Sequence, residues 1–321
     1  MRTKRRQVSK LAKNSWWLMR AYKFIFLALL FLLSGCGLLV PGAPSPGERR
    51  VATDGQKPPR VGLVLGGGAA RGFAHVGVIR VLEREKIPID LIVGTSVGSL
   101  VGAIYADKKN SFELEWTAFS LEEKDLFDYT FISPTQGFVR GERIEEFVLK
   151  KVSARELQQL KIPLTVVATD IQNGEPVLLQ TGSVARAVRA SSAIPGIFIP
   201  VRNQGKLLVD GGVLNNVPVD VARKMGADIV IAVNLGGGRK AAQVNNVFDA
   251  IVQSLHLMSI EATEARLKDA DVVIEPQVSH IGLIDFSKKK ELLALGIQAA
   301  EQALPRLREK VFGVNATSAA R

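Results

Sequence analysis

A serine between two glycines is the first feature of this sequence that could carry out chemistry. The residues Gly94-Thr95-Ser96-Val97-Gly98 follow an apolar run typical of a buried strand and precede a run typical of a helix. In that context a G-x-S-x-G turn lifts a nucleophilic serine above the end of a sheet. The N-terminus of the following helix would also favour negative charge beside the serine. A tight turn in which Ser96 only caps the helix accounts for the same residues, so both interpretations stand at this point.

A glycine-rich loop lies one predicted strand earlier. Residues 66–72 read GGGAARG and open a predicted helix, which leaves a row of backbone N–H groups free to bind an anion. One such anion is the pyrophosphate of a dinucleotide, but alignment on Gly72 puts Ala69 where that motif needs a glycine. The second strand also ends in the serine turn rather than in an acid. The other anion is the oxyanion of an acyl-transfer intermediate, held by the amides of Gly67, Gly68 and Ala69.

An aspartate follows a later strand-like run. Asp210 comes directly after KLLV and before Gly211 and Gly212, so we expect its carboxylate at a strand end with little bulk behind it. A carboxylate hydrogen-bonded to a serine hydroxyl can take its proton as a general base and return it to the leaving group. Taken alone, Asp210 also fits an ordinary Asp-Gly turn.

Histidine is the alternative partner for a nucleophilic serine, and the chain has three, His75, His256 and His280. The α/β-hydrolase triad runs Ser, Asp, His along the chain, so His256 or His280 could complete it. The helical settings of His75 and His256 favour packing roles. A Ser-Asp-His triad therefore stays open beside a Ser-Asp pair.

Short apolar runs alternate with helical patterns from residue 60 onward, which predicts an α/β fold with a mainly parallel sheet. Because neighbouring parallel strands end at the same edge of a sheet, the glycine loop and Ser96 should face each other. Asn173-Gly174 predicts a hairpin turn. The predicted strands are 61–66, 89–95, 163–170, 175–182 and a pair within 198–209, with one more within 217–235. One predicted helix follows the glycine loop and extends to Lys86, and a second follows the serine turn and runs through Tyr105. Further helices are predicted over 183–192, 245–268 and 287–311.

The motifs GGGAARG, GTSVG and DGG, in this order, resemble those of the patatin-like phospholipases. The block Ala190–Val201 is a further point of similarity, and residues 66–83 look most like the bacterial, neuropathy-target-esterase-like branch. The resemblance implies a three-layer α/β/α catalytic domain over residues 60–312, with a helical cover. It also implies a Ser-Asp dyad that needs no cofactor. The sequence offers no His/Cys cluster for a metal.

Carried over by position, the resemblance makes Ser96 the nucleophile and Asp210 the general base. It makes Gly67, Gly68 and Ala69 the oxyanion donors, although the family most often has glycine where this chain has Ala69. A methyl group is tolerated there if the φ of Ala69 is negative. The supporting motif residues are Arg71, Gly72, Gly94, Gly98, Gly211 and Gly212.

The implied reaction is hydrolysis of acyl esters in phospholipids, lysophospholipids or related lipids. A catalytically weak, membrane-tethered lipid-binding or scaffold protein is the alternative from another class. Residues 106–160 are predicted to cover the sheet edge, and their aromatic side chains either line an acyl channel or pack the cover. These aromatic residues are Trp116, Phe119, Phe127, Tyr129, Phe131 and Phe138.

The N-terminal segment has the layout of a secretory signal peptide. Cationic residues precede an apolar run, and the residues LSGC that end at Cys36 resemble the lipobox of bacterial lipoproteins. We therefore expect a signal peptide over 1–35, lipidation at Cys36, a flexible linker over 36–59, and a disordered tail over 313–321. The expected location is extracytoplasmic and membrane-anchored, on the periplasmic face of the outer membrane if the organism has one. An uncleaved anchor, Phe24 to Val40, is the alternative.

The net charge of +11 does not indicate a nucleic-acid partner. Eight of the basic residues, and no acid, lie within residues 1–35. No basic stripe interleaved with aromatic residues follows downstream, so nucleic acid is excluded. The expected partner is a membrane lipid, and the oligomeric state stays undetermined.

Overall fold

Aliphatic and β-branched residues fill the central strands of the computed structural model, as expected for strands that are buried on both faces. The structure describes residues 58–128, 139–236, 244 and 247–313. The strands are β1 (Val61–Leu65), β2 (Leu91–Thr95), β3 (Leu164–Asp170), β4 (Glu175–Leu179), β5 (Val201–Asn203), β6 (Lys206–Asp210), β7 (Ile229–Val233) and β8 (Val272–Ile274). The helices are α1 (Phe73–Arg84), α2 (Val97–Lys108), α3 (Ser111–Ser120), α4 (Glu142–Lys151), α5 (Val184–Ser191), α6 (Val219–Lys224), α7 (Val247–Leu267) and α8 (Lys289–Phe312).

The strands form one mixed sheet in the order β5-β6-β3-β2-β1-β7-β8, and β4 pairs with β3 beside this path. Strands β3, β2, β1, β7 and β8 are parallel to one another, whereas β4 and β6 run antiparallel to β3. The predicted α/β class and mainly parallel sheet are confirmed. The β3–β4 hairpin turns at Asn173-Gly174, where the sequence predicts it.

Strands β2 and β6 lie end to end along the same edge of β3. Val167 of β3 pairs with Thr95, the last residue of β2, and the next residue, Ala168, pairs with Asp210, the last residue of β6. Both of these β3 residues also pair with β4, which therefore occupies the opposite edge. Since β2 and β6 run in opposite directions, their C-terminal ends meet.

Helices cover both faces of the sheet, which gives the predicted three layers. Side chains such as Leu63 and Leu65 point to one face, where they belong to the large core formed with α1, α2 and α8. Val64 and Val93 point to the other face and pack with residues of α6. The alternation follows from the two-residue period of a strand.

The structure differs from the sequence prediction in several elements. Strand β8 is not predicted by the sequence, because its run of three residues is too short to give a clear pattern. The predicted cover contains α3 and α4, joined in part by residues 129–138, which lie outside the described part. Among the described residues, no helix is long and apolar enough to cross a membrane. The signal peptide, Cys36, most of the linker and the tail beyond Gly313 also lie outside the described part, so those predictions stay untested.

Two glycines set how closely α1 and α8 approach. A Cβ on Gly77 would lie 2.2 Å from the carbonyl oxygen of Leu293, and one on Gly296 would lie 2.0 Å from that of Ala74. Both distances are far shorter than a van der Waals contact. The atoms they involve belong to the helix backbone, which can move only if the whole helix shifts. The two helices can therefore pack this closely only with glycine at both positions.

Replacing Gly296 with alanine should force α8 away from α1. We expect the free energy of unfolding to fall by about 1–3 kcal/mol, even though alanine favours a helix more than glycine does. Urea denaturation followed by circular dichroism measures the change. Gly282→Ala is the matched control, because its added Cβ would meet its nearest neighbour at 3.7 Å. A Gly296→Ala protein as stable as wild type would contradict the assigned packing.

Candidate active site

Ser96 occupies a strained turn between β2 and α2. Its φ is 53° and its ψ is −127°, a left-handed conformation that L-residues adopt only when the surroundings enforce it. A Cβ on Gly98 would lie 2.1 Å from the carbonyl oxygen of Leu65, and one on Gly94 would lie 2.7 Å from that of Gly98. Both glycines of the motif are thus required by close backbone approach. The turn presents the Ser96 hydroxyl beyond the end of the sheet.

The hydroxyl of Ser96 donates a hydrogen bond to Oδ2 of Asp210 at 2.7 Å. The two residues come together because their strands end against each other on β3. Ser96 is 8% exposed and Asp210 is 5% exposed. A charge-assisted O–H···O⁻ bond of this length, held away from bulk water, readies the serine proton for transfer to the carboxylate.

The Asp210 carboxylate receives only neutral donors from the residues that the structure describes. Its Oδ1 accepts the backbone N–H of Gly212 at 2.7 Å. Burial raises the pKa of Asp210 to about 6, and the hydrogen bonds from Ser96 and Gly212 oppose that increase. A Cβ on Gly211 would lie 2.3 Å from the carbonyl oxygen of Val167, so this turn also needs glycine. A pKa near 6 leaves the group ionised at neutral pH yet basic enough to accept a proton.

None of the hydrogen bonds that Ser96 and Asp210 make within the described residues involves a histidine. His75 is fully buried, and its Nε2 donates to the carbonyl oxygen of Gly66 at 2.8 Å. Burial lowers the pKa of His75 to about 4, so the ring is neutral. His280 is exposed and pairs with Glu291 at 3.0 Å. His256 lines a pocket beside Ser96 and is the histidine that a triad would have to use.

The glycine loop is fixed by the peptide between its first two residues. The carbonyl of Gly66 accepts from His75, and the N–H of Gly67, on the opposite side of that peptide, donates to the carbonyl oxygen of Asn216 at 3.2 Å. The amide of Gly67 thus already has an acceptor within the protein, and the assignment of Gly67, Gly68 and Ala69 as oxyanion donors stays a prediction. The amides of Gly68 and Ala69 have no acceptor among the described residues.

Ala69 adopts a φ of +47°, not the negative φ that the sequence analysis requires for a methyl group at this position. Glycine would adopt the same conformation without strain, so the alanine methyl group at this position is strained. Gly72 lies against the serine turn, because a Cβ there would be 2.2 Å from Cγ2 of Val97. The glycine loop and the serine turn are therefore in direct contact.

Arg71 ties the glycine loop to the segment before α8. Its Nε donates to the carbonyl oxygen of Ile281 at 2.9 Å, and its guanidinium also donates to that of Ser279 at 3.0 Å. The side chain is 5% exposed, and burial lowers its pKa. The N–H of Ala70 donates to the carbonyl oxygen of Leu283 at 2.8 Å. These bonds hold the glycine loop against the segment before α8.

Two pockets meet at Ser96. One is almost entirely apolar and runs between α2, α3 and α4, which suits a hydrocarbon chain. Of the aromatic residues predicted to line a channel, Phe127 does so, whereas Trp116 is 72% exposed and Phe119 does not reach the pocket. Tyr129, Phe131 and Phe138 lie outside the described residues. Further aromatic lining residues, which the sequence analysis does not single out, are Phe73, Phe147, Phe198 and Phe286.

The second pocket, called the polar pocket below because it is more polar than the first, contains Asp210 together with Ser96. The glycine loop forms one wall and α7 forms another. Within the described residues, no group of three or more His, Cys, Asp or Glu side chains is arranged to hold a metal. The pocket thus offers protein hydrogen-bonding groups next to the serine.

Ser191 supports the serine turn, although no sequence motif indicates this role. Its Oγ accepts the backbone N–H of Ser96 at 2.8 Å and donates to the carbonyl oxygen of Val167 at 2.6 Å. The side chain is fully buried. It stands in the block Ala190–Val201 that carries part of the resemblance, but a serine in a helix gives no sign of which backbone group it will bind. Ser191 holds the strained turn in place.

Comparison with known proteins agrees with this architecture. A family model described as "Patatin-like phospholipase" matches residues 63–223. The chain belongs to the patatin-like phospholipase family. The match spans half of the chain and includes the glycine loop, the serine turn and Asp210.

Two curated relatives belong to the neuropathy-target-esterase branch. The "Lysophospholipase NTE1" of Scheffersomyces stipitis is 31% identical over 75% of this chain and 18% of its own length. An "Uncharacterized NTE family protein" of Mycobacterium bovis is 39% identical over 60% of this chain and 53% of its own. The chain therefore covers about half of the length of the Mycobacterium bovis protein and less than a fifth of the length of the Scheffersomyces stipitis protein.

A solved structure supports the fold alone. The crystal structure of VipD from Legionella pneumophila superposes with a TM-score of 0.53 at 18% identity, over 82% of this chain and 70% of VipD. The predicted patatin-like fold is thereby confirmed.

Replacing Ser191 with alanine should leave the buried N–H of Ser96 without an acceptor. We expect the free energy of unfolding to fall by roughly 1–3 kcal/mol, the cost of one unsatisfied buried polar group. Chemical denaturation measures it. The control is Ser153→Ala, since that exposed hydroxyl accepts a bond from Lys108 and its loss should change stability by less than about 0.5 kcal/mol. Equal stability of the two variants would show that Ser191 does not hold the turn.

The raised pKa of Asp210 should appear as a pH-dependent stability. The folded protein holds a proton on Asp210 up to about pH 6, whereas the unfolded chain releases it near the ordinary value of about 4. The stability that this proton contributes is therefore present below pH 4 and lost as pH rises towards 6, by up to about 1.4 kcal/mol per pH unit.

The measurement compares urea denaturation of wild type and Asp210→Asn from pH 4 to pH 8. The difference in unfolding free energy, wild type minus variant, should decrease between pH 4 and 6 and then level off. The variant removes the contributions of all other groups from the comparison. A difference that is constant or rises with pH would mean that Asp210 is not held in an environment that disfavours its charge.

Proposed function

We propose that this protein is a serine acyl-hydrolase that cleaves acyl esters of phospholipids or lysophospholipids through a Ser96–Asp210 dyad. The observation that carries the proposal is the 2.7 Å hydrogen bond from Ser96 Oγ to Asp210 Oδ2. Membership of the patatin-like family supports acyl-ester chemistry, and relatives named lysophospholipase support a lipid substrate. The apolar pocket beside Ser96 supports a substrate with a hydrocarbon chain.

In the first half of the reaction, the acyl chain occupies the apolar pocket and the alcohol part lies towards the polar pocket. Asp210 takes the proton of Ser96 as the oxygen attacks the ester carbonyl carbon. The carbonyl oxygen becomes an oxyanion and accepts hydrogen bonds from the amides of Gly68 and Ala69. The C–O bond to the alcohol then breaks, the alcohol oxygen receives the proton from Asp210, and an acyl-serine ester remains.

In the second half, a water molecule replaces the departed alcohol. Asp210 takes one proton from the water as its oxygen attacks the acyl-serine carbonyl, and the same amides hold the new oxyanion. The bond to Ser96 breaks and its oxygen regains a proton from Asp210. A fatty acid leaves, and the dyad returns to its starting state.

The experiment measures hydrolysis of 4-nitrophenyl butyrate and of lysophosphatidylcholine by the full chain and four variants. Ser96→Ala should be inactive, and Asp210→Asn should lose a factor of about 10²–10⁴ in kcat, the usual contribution of a general base. His280→Gln is the control that should match wild type, because His280 is exposed and bonded to Glu291.

His256→Gln decides between the dyad and a triad. The dyad predicts that this variant keeps most of the wild-type kcat, with any change confined to substrate affinity. A loss as large as that of Asp210→Asn would replace the dyad with a Ser-Asp-His mechanism. Absence of hydrolysis in the wild type would favour a lipid-binding protein instead.

A further inference from the structure

Asn216 lies where the glycine loop meets the turn that follows Asp210. Its backbone oxygen accepts the N–H of Gly67 at 3.2 Å. Its neighbour Asn215 has a different role, since that side chain is buried and donates to Asp220 at 2.8 Å. The backbone oxygen of Asn215 accepts the hydroxyl of Thr95 at 3.0 Å, but of the two side chains only that of Asn216 lines the pocket beside Ser96.

The carboxamide of Asn216 stands beside the nucleophile. A Cβ on Gly67 would lie 2.4 Å from Asn216 Oδ1 and 3.3 Å from the Cβ of Ser96, so these two groups flank one point. A Cβ on Gly212 would lie 3.0 Å from the same Oδ1 and 3.1 Å from Oδ1 of Asp210. The carboxamide therefore reaches the space between the serine, the aspartate and the glycine loop.

This carboxamide makes no hydrogen bond to any residue that the structure describes, although it is half-buried. It lines the polar pocket together with Ser96 and Asp210. The Asn216 side chain is only partly buried, so its carboxamide can hydrogen-bond a ligand or a water molecule in the pocket. A half-turn about χ2 exchanges its oxygen and nitrogen without moving other atoms, so either a donor or an acceptor can face the serine.

We propose that Asn216 is a further catalytic residue, whose Nδ2 donates a hydrogen bond to the oxyanion formed at Ser96. The inference rests on the proposed acyl-hydrolase function and deepens it. Asn216 supplies the donor that the amide of Gly67 cannot, because that amide is bonded to the backbone of Asn216 itself. Gly68, Ala69 and Asn216 thus provide the donors from two separate segments of the chain.

A neutral donor suits this position better than a charged one. A lysine or arginine here would lower the pKa of Asp210 and make it a weaker base, whereas another carboxylate would raise it further. A carboxamide stabilises the oxyanion and leaves the titration of Asp210 nearly unchanged. In acyl-transfer enzymes, removal of one such donor typically lowers kcat by about 10²–10³-fold.

The experiment compares full-length wild type with Asn216→Leu, which keeps the shape without a donor, and Asn216→Ala. We expect kcat for 4-nitrophenyl butyrate to fall by about 10²–10³-fold in both variants, with KM changed by less than threefold. The inhibition constant of an octyl trifluoromethyl ketone, which forms a tetrahedral adduct with an active-site serine, should rise by a similar factor. If Asn216 had only a structural role, the fall in kcat and the rise in the inhibition constant would not be expected to match.

Asn173→Ala is the matched control, because within the described residues its side chain bonds only Asp170, at the β3–β4 turn. It should keep wild-type kcat and inhibition constant. Thermal unfolding of each variant separates misfolding from lost catalysis, and a third variant, Asn216→Thr, retains one shorter donor and should recover part of kcat. Asn216→Leu with kcat and inhibition constant within threefold of wild type overturns the inference while leaving the dyad in place. A wild-type protein that hydrolyses no ester overturns the proposed function and this inference with it.

Discussion

The Ser96–Asp210 hydrogen bond depends on two strands that end against each other on one edge of β3. Thr95 pairs with Val167 and Asp210 pairs with Ala168, so the last residues of β2 and β6 are separated by one step along a single neighbour. The sheet is held rigid by the core on both faces, so the distance between serine and carboxylate is set by the backbone. Such preorganisation reduces the reorganisation that proton transfer would otherwise require.

Close backbone contacts surround this junction. The serine turn packs on the end of β1 at Gly98, and the turn after β6 packs on β3 at Gly211. Ser191 binds the N–H of Ser96 from α5, and His75 binds Gly66 from α1. Each contact fixes one peptide group near the serine. The resulting site buries Asp210, which raises its pKa, and no charged group among the described residues contributes to that shift.

Sequence patterns predict the parts of this site that are local. The G-x-S-x-G motif between a strand and a helix identifies Ser96, and the strand-helix-strand rhythm predicts that the glycine loop lies beside it. Asp210 is recognisable only together with the other motifs. The order and spacing of these motifs are enough to indicate the family and its fold.

The remaining features depend on contacts between distant residues, which periodicity does not encode. The sequence does not reveal that β6 and β2 pair with the same edge of β3, because strand pairing and its register depend on contacts between residues far apart in the chain. Nor does it show that the amide of Gly67 is bonded to Asn216, or that Ala69 has a positive φ. The roles of Ser191 and Asn216 follow only from the folded geometry, since serine and asparagine are common in turns and caps.

Covalent labelling tests the central claim, a serine activated by Asp210 alone, most directly. The protein is treated with a long-chain fluorophosphonate, digested, and mapped by mass spectrometry, and the rate of adduct formation is compared between wild type, Asp210→Asn and His256→Gln. The account predicts a single adduct on Ser96, formed at least about a hundredfold more slowly without the Asp210 carboxylate and at nearly the wild-type rate without His256. An adduct on another residue, or a rate that depends on His256 as strongly as on Asp210, would contradict it.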